Sequence, residues 1–362
     1  MSAAATSGGA AGIEYETAVE GQPLKLAAEV GGGDAPFTYQ WYKDGAPVAG
    51  ATQPRFELAA GRHSDAGLYA VVVANAGGSA ASLPIILTVT AARPSRLANA
   101  SIMTAAEEPV IVGFTVGGGA EGQSNRFLIR AAGPALAQFG VSGILPDPVL
   151  ELGVAGGGVL TSNDNWGNSS NLAATAASVG AFAFPSDSRD AAVVADLPPG
   201  GYNVRVQDAL GLAGTTAVEL YEARIGATPP VSRLVNLSAR SVVGSNAATF
   251  TLGFTIEGHD PVRLLVRGVG PELTRLGVAN ALADPRLLLF RAGQRVSEND
   301  DWGESRASDI SAAAAAVGAF ALSAGSRDAA LLVVLEPGSY TVQLVGKADA
   351  VGPALIELYA VP

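Results

Sequence analysis

Cysteine is absent from the 362 residues, which excludes disulfides, thiolate catalysis and cysteine-ligated metals together. Lysine is nearly absent too, with only Lys25, Lys43 and Lys347. Basic residues number 22 against 33 acidic ones, for a formal net charge of −11. No basic run exists to neutralise a phosphate backbone, so nucleic acid and an anionic membrane surface are poor partners. The two histidines, His63 and His259, stand far apart without matching neighbours. A Ser/His/Asp triad or a histidine-rich zinc site needs more than that, and neither G-x-S-x-G nor H-E-x-x-H occurs. No apolar run reaches the length of a membrane span. Residues 1–12 (MSAAATSGGAAG) have neither a basic n-region nor an apolar h-region. They read as a flexible tail of small residues, and a secretion signal, if there was one, is expected to precede this numbering.

What the chain does have is turn formers and apolar mass. The hydrophobic fraction is 48%, beside 45 glycines and 21 prolines, a balance that favours short strands between turns over long helices. The first unit, expected at 13–91, alternates at 24–30, 37–42, 55–58, 68–75 and 81–89. Within it, Tyr39-Gln40-Trp41-Tyr42-Lys43-Asp44-Gly45 puts a tryptophan in mid-strand before a turn. Asp65-Ala66-Gly67-Leu68-Tyr69-Ala70-Val71 fits D-x-G-x-Y-x-C with valine in place of cysteine, and Ala28 stands where the partner cysteine falls. These residues resemble a cysteine-free bacterial immunoglobulin-like domain. The resemblance implies a sandwich with Trp41 in its core and Tyr69 as the tyrosine corner.

Beyond a linker at 91–94 the sequence repeats itself. Ser95-Arg96-Leu97-Ala98-Asn99 recurs as Ser232-Arg233-Leu234-Val235-Asn236, and Gly113-Phe114-Thr115 as Gly253-Phe254-Thr255. Phe127-Leu128-Ile129-Arg130 with Gly133-Pro134 recurs as Leu264-Leu265-Val266-Arg267 with Gly270-Pro271. Asn163-Asp164-Asn165-Trp166 matches Asn299-Asp300-Asp301-Trp302, Ser188-Arg189-Asp190-Ala191 matches Ser326-Arg327-Asp328-Ala329, and Glu219-Leu220-Tyr221 matches Glu357-Leu358-Tyr359. The expected division is one repeat at 92–225 and a second at 226–362, joined at Gly226-Ala227-Thr228-Pro229-Pro230. Each reads as a jelly-roll-like β-sandwich with one short alanine-rich helix, at 171–179 and 307–317, the latter capped by Ser308 or Asp309. The fold class expected for the whole chain is therefore all-β.

Three clusters stand out as sites. The turns Asn163-Asp164-Asn165-Trp166 and Asn299-Asp300-Asp301-Trp302 concentrate oxygen ligands of the kind Ca²⁺ takes, or form Asx-turns with a tryptophan plugging the sandwich end. Arg130 and Arg267 each end an apolar strand and need an acceptor. Asp147 or Asp190, and Asp284 or Asp328, are the carboxylates considered, in a structural ion pair or an anion clamp. Gly117-Gly118-Gly119-Ala120-Glu121-Gly122 fits G-x-G-x-x-G but lies between two strands, so it reads as a hairpin and not a nucleotide loop.

The second repeat also resembles the bacterial pre-peptidase C-terminal sandwich. That likeness implies calcium at Asn299, Asp300, Asp301 and Asp328, and at Asn163, Asp164 and Asp190, as the one cofactor. The paired repeats resemble tandem C-terminal modules of secreted Verrucomicrobia-type surface proteins. This implies a cell-exterior location and a non-enzymatic structural or adhesion role, with self-assembly into a fibre through β-domain contacts as one form of it. Other protein chains are then the expected partners. The rival expectation is a carbohydrate- or matrix-binding region, with polysaccharide as partner.

Overall fold

The computed structural model describes residues 2–6, 14–90, 95–106, 109–118, 123–223, 232–244 and 250–362. The chain divides into two compact units, residues 1–93 and 94–362, each all-β.

The first unit is an immunoglobulin-like sandwich. Its strands are β1 (Ser2–Thr6), β2 (Glu14–Val19), β3 (Leu24–Gly31), β4 (Thr38–Lys43), β5 (Ala46–Pro47), β6 (Arg55–Leu58), β7 (Gly67–Asn75), β8 (Gly78–Ala81) and β9 (Ile85–Thr90). One sheet runs β1-β3-β6, the other β2-β9-β7-β4-β5 with β8 beside β7. Residues 2–6, expected within a flexible tail, instead pair antiparallel with β3 from Ser2↔Gly31 to Thr6↔Ala27. A pleated edge leaves unpaired backbone groups, and even five small residues can satisfy them. The core holds Trp41, Phe56 and Tyr69, their rings 6.0 and 5.5 Å apart in succession. The Tyr69 hydroxyl donates to Asp65 O at 2.9 Å, which is the tyrosine corner. Burial, and secondarily the Asp65 and Asp44 carboxylates, push the Tyr69 phenol up to about 12. Val71 is fully buried and Ala28 packs on the same cluster, so apolar contact fills the place of the disulfide.

The second unit contains both repeats. Repeat one contributes β10 (Arg96–Ala106), β11 (Val110–Gly117), β12 (Asn125–Ala132), β13 (Pro148–Val154), β14 (Val159–Asn163), β15 (Ala191–Leu197), β16 (Gly200–Asp208) and β17 (Gly214–Glu222). Repeat two contributes β18 (Arg233–Val243), β19 (Phe250–Glu257), β20 (Val262–Val269), β21 (Pro285–Arg291), β22 (Gln294–Asn299), β23 (Ala329–Leu335), β24 (Gly338–Gly346) and β25 (Gly352–Ala360). The helices are α1 (Ser170–Ser178), α2 (Pro271–Arg275) and α3 (Ala307–Ala316). Ser169 caps α1 by accepting from Leu172 N at 3.4 Å. The cap position of α3 is Arg306 in the left-handed region, not Ser308 or Asp309, which lie inside the first turn. The sequence reading also missed α2 and the 3₁₀ turn Pro134–Phe139, both opened by the proline of G-P.

The repeats do not fold as two beads. Strand pairing runs continuously through β15-β12-β17-β10-β19-β24-β21-β22 and through β14-β13-β16-β11-β18-β25-β20-β23, so each layer takes four strands from each repeat. The layers face each other over a single apolar core that mixes both copies. The crossing is symmetrical. β10 of repeat one pairs β19 of repeat two, and β18 of repeat two pairs β11 of repeat one. Equivalent residues meet at the centre: Leu97 lies opposite Leu234, and the Thr104 and Ser241 hydroxyls are 2.5 Å apart. Such self-matching contacts define a two-fold relation. They give the repeated G-F-T and S-R-L-x-N motifs a physical meaning. Gly113 sits opposite Ser238 and Gly253 opposite Ser101, and a Cβ on either glycine would come within 3.0 or 2.8 Å of the serine oxygen. Arg96 ties the copies further, bonded to Glu222 at 2.8 Å and to Glu257 across the junction at 2.6 Å.

Candidate functional site

In each repeat, motifs that are far apart in sequence converge on the outer face of one strand. Along β12, Phe127, Ile129 and Ala131 enter the core between the layers, so strand alternation sends Leu128 and Arg130 to the other side. That side is covered as well, because α1 and residues 181–184 pack over it. β20 repeats the pattern, with Leu264 and Val266 inward and Leu265 beneath α3. Burial on both faces explains why these strands read as unbroken apolar runs.

Arg130 and Arg267 are therefore arginines within a core, 1% and 0% exposed. Their partners are not the aspartates considered from sequence. Arg130 Nε lies 3.1 Å from Glu219 and Arg267 Nε 2.7 Å from Glu357. Both glutamates sit on the neighbouring strands β17 and β25, directly in register with the arginines. One guanidinium nitrogen also donates to Phe182 O at 2.6 Å, or to Phe320 O at 2.5 Å. The cation rests against the rings of Phe182 and Phe184 at 4.3 and 3.9 Å, or of Phe320 at 4.2 Å. The Tyr221 and Tyr359 hydroxyls donate to the same glutamates at 3.0 and 2.7 Å. Burial raises the Glu219 carboxyl above its usual range, opposed by the Arg130 charge. It also raises the Tyr221 and Tyr359 phenols, which the adjacent glutamates reinforce.

The aspartates do other work. Asp147 and Asp284 pair with Arg189 and Arg327 at 2.8 and 3.1 Å. Asp190 and Asp328, both fully buried, hold the G-P turn. Asp190 accepts from Gly133 N at 2.7 Å and Ala135 N at 3.1 Å, and Asp328 from Gly270 N at 2.8 Å and Glu272 N at 3.2 Å. A Cβ at Gly133 or Gly270 would fall 2.1 Å from a carbonyl oxygen of Leu145 or Leu282, so only glycine fits there.

Within each repeat the residues nominated for calcium take separate bonding partners. Asn163 and Asn299 cap the edge strands, accepting from Ala192 N at 2.9 Å and Ala330 N at 2.8 Å. Their amide nitrogens close the turn onto Asn165 O and Asp301 O. Trp166 N and Trp302 N donate to Asp190 O and Asp328 O, both at 2.8 Å. The indole nitrogens reach Ser188 Oγ at 3.2 Å and Ser326 Oγ at 3.1 Å. Asp164 is exposed. Asp300 meets Lys347 at 2.7 Å, a contact that holds its carboxyl below the usual carboxylate range. Among the described residues, no group of three or more His, Cys, Asp or Glu side chains is placed to hold a metal ion. The asparagine of each N-D-x-W turn also acts as a clasp on a sheet edge, occupying a backbone N–H that another strand could otherwise use.

His63 and His259 are both exposed. Most of the G-x-G-x-x-G stretch (119–122) and the connector at 226–230 lie outside the described residues. Glu219 and Glu357 were the functional residues that sequence reasoning missed as ion-pair partners. The signal was present in the duplicated E-L-Y, where an acid stands beside an inward leucine in a buried strand.

No protein-family model matches the chain, and no curated protein matches it. Among solved structures it is similar to the N-terminal four Ig domains of Dscam1 isoform 6.9, at 24% identity and a TM-score of 0.21. The same region of isoform 4.44 matches at 25% identity and a TM-score of 0.21. Both likenesses cover 24% of this chain and 20% of those chains. No described helix is long and apolar enough to cross a membrane.

Proposed function

We propose that this chain is a non-enzymatic structural or adhesion protein that works outside the cell through contacts with other protein chains. One observation carries the reading: the two repeats are fused into two continuous layers over one core, and the repeated motifs are spent on bonds inside that unit. Such an arrangement supports stiffness, since neither repeat can move without breaking strand pairs on both sides of the junction. The location rests on the resemblance of the repeats to secreted surface modules. A cysteine-free immunoglobulin-like unit ahead of the fused pair suits a projecting chain.

Fibre assembly is the specific form to test. The edge strands β14, β15, β22 and β23 end the two layers, and Val334 on β23 is 65% exposed. Strand addition at such edges is a known mode of chain-to-chain recognition. Negative-stain electron microscopy of concentrated protein is expected to show end-to-end or edge-to-edge assemblies. Dispersed single particles at every concentration would remove the fibre and leave a monomeric adhesin.

A further inference from the structure

In one place the two-fold relation holds for the backbone and fails for charge. In repeat one, Arg96 bonds Glu222 and Glu257, and Arg126 lies 3.7 Å from Asp196, its register partner on β15. The equivalent arginines of repeat two are Arg233 and Arg263, and strand register fixes what faces them. Gly117 stands opposite Arg233 as Glu257 stands opposite Arg96. Val334 stands opposite Arg263, in the place of Asp196. Ala360 pairs with Leu264 as Glu222 pairs with Phe127. All three carboxylates are thus replaced by uncharged residues, while both arginines are kept.

Arg233 and Arg263 are exposed, and neither guanidinium has an ion-pair or hydrogen-bond partner among the described residues. Both line one cleft of about 740 Å³ on the second unit, inside the range of about 300–1,000 Å³ that ligand clefts take. Arg96 lines it too, but its charge is already matched. The one carboxylate side chain of the lining, Asp260, makes no ion pair with either free arginine. Half-buried Val262, Val317 and Val361 supply apolar wall.

The open charges select a carboxylate. A guanidinium forks onto a carboxylate through two parallel bonds, and repeat one shows the same positions served by Glu and Asp side chains borne on strands. Tyr359 is the single aromatic of the lining, with its hydroxyl turned to Glu357 at 2.7 Å, so a sugar ring finds no stacking platform. Apolar wall beside two free cations fits a strand in which acidic and apolar side chains alternate.

We propose that this cleft binds an acidic, extended peptide segment of a partner protein. Its carboxylates sit on Arg233 and Arg263, in the places that Glu222, Glu257 and Asp196 fill in repeat one. The inference rests on the reading of this chain as one that works through contacts with other chains, and gives one such contact a chemistry. Its failure would leave strand-edge association standing, because the two are measured separately.

The test is fluorescence anisotropy of a labelled, end-capped short peptide of alternating glutamate and valine, titrated with the full chain at low ionic strength. A Kd of about 0.1 mM is expected, weakening as salt is added. The same peptide with glutamine for glutamate should bind at least about tenfold more weakly. Arg233→Gln with Arg263→Gln should also lose at least about tenfold, and the fold should persist because both side chains are exposed and unpaired. Arg240→Gln, an exposed arginine of β18 outside the cleft, should change nothing. Ala360→Glu with Val334→Asp restores two of the repeat-one acids and should block the peptide. No binding, equal binding of the glutamine peptide, unchanged affinity in either double variant, an equal loss in Arg240→Gln, or tighter binding of an oligogalacturonate would overturn the proposal.

Discussion

Removing the Arg267 side chain isolates the ion pair at the centre of the second repeat. In Arg267→Ala, Glu357, itself 4% exposed, keeps only the Tyr359 hydroxyl at 2.7 Å, and Phe320 O loses its donor. Breaking one half of a buried pair costs about 3–5 kcal/mol, because the remaining charge is stranded. For a unit spanning residues 94–362, that corresponds to a Tm lower by about 6–10 °C, taking about 2 °C per kcal/mol for a large domain. The double replacement Arg267→Met with Glu357→Leu removes both charges and keeps the volume, so it should recover most of the loss. Urea unfolding of the parent, both single variants and the double variant closes a thermodynamic cycle, with an expected coupling of about 2–4 kcal/mol. A single variant that loses less than about 1 kcal/mol, or a double variant as unstable as the sum of the singles, would refute the reasoning.

Tyr69→Phe should cost about 1 kcal/mol at neutral pH, the net worth of the bond to Asp65 O, read from urea unfolding of the first unit. Its pH profile has a definite sign. The folded phenol ionises near 12 against the ordinary 10.0, so its contribution is fully present below pH 10 and is lost as pH rises through about 12. The parent should lose stability above pH 10 more steeply than the phenylalanine variant, and parallel profiles would contradict this. Asn299→Ala strips the clasp from Ala330 N. It should lower stability by about 1–2 kcal/mol and increase association seen by light scattering, since an unguarded edge invites pairing. Calcium addition and chelation should leave the melting temperature of the second unit unchanged, and a rise with calcium would favour the metal reading of the acidic turns instead.

Much of the fold was legible because its signals are local. The tryptophan of β4 and the D-x-G-x-Y stretch of β7 mark the core of the immunoglobulin-like unit, although β1 at its start reads as a tail, and apolar runs between glycines place β11 and β12. The fusion of the repeats was not legible. A duplication tells that two segments share a fold, but the pairing of β10 with β19 is a long-range contact that no spacing encodes. The motif S-R-L-x-N marks where the copies meet, and that role emerges only when Leu97 is seen opposite Leu234. The arginine partners were misassigned for a related reason. Asp147 and Asp190, like Asp284 and Asp328, are duplicated acids nearer in sequence than Glu219 and Glu357, whereas strand register decides the pairing. The acidic turns read two ways from sequence because Asn and Asp serve equally well as backbone clasps and as metal ligands, and the structure shows Asn163 and Asn299 in the first role.

The central claim is that two repeats share both layers in a two-fold arrangement. A cysteine pair in this cysteine-free chain tests it directly. Met103 lies opposite Thr251 across the junction of β10 and β19, at a spacing a disulfide can bridge. Met103→Cys with Thr251→Cys is expected to oxidise to a bond within one chain, seen by mass spectrometry of the trypsin digest. Free thiols after mild oxidation, or bonds only between chains, would contradict the shared-layer fold.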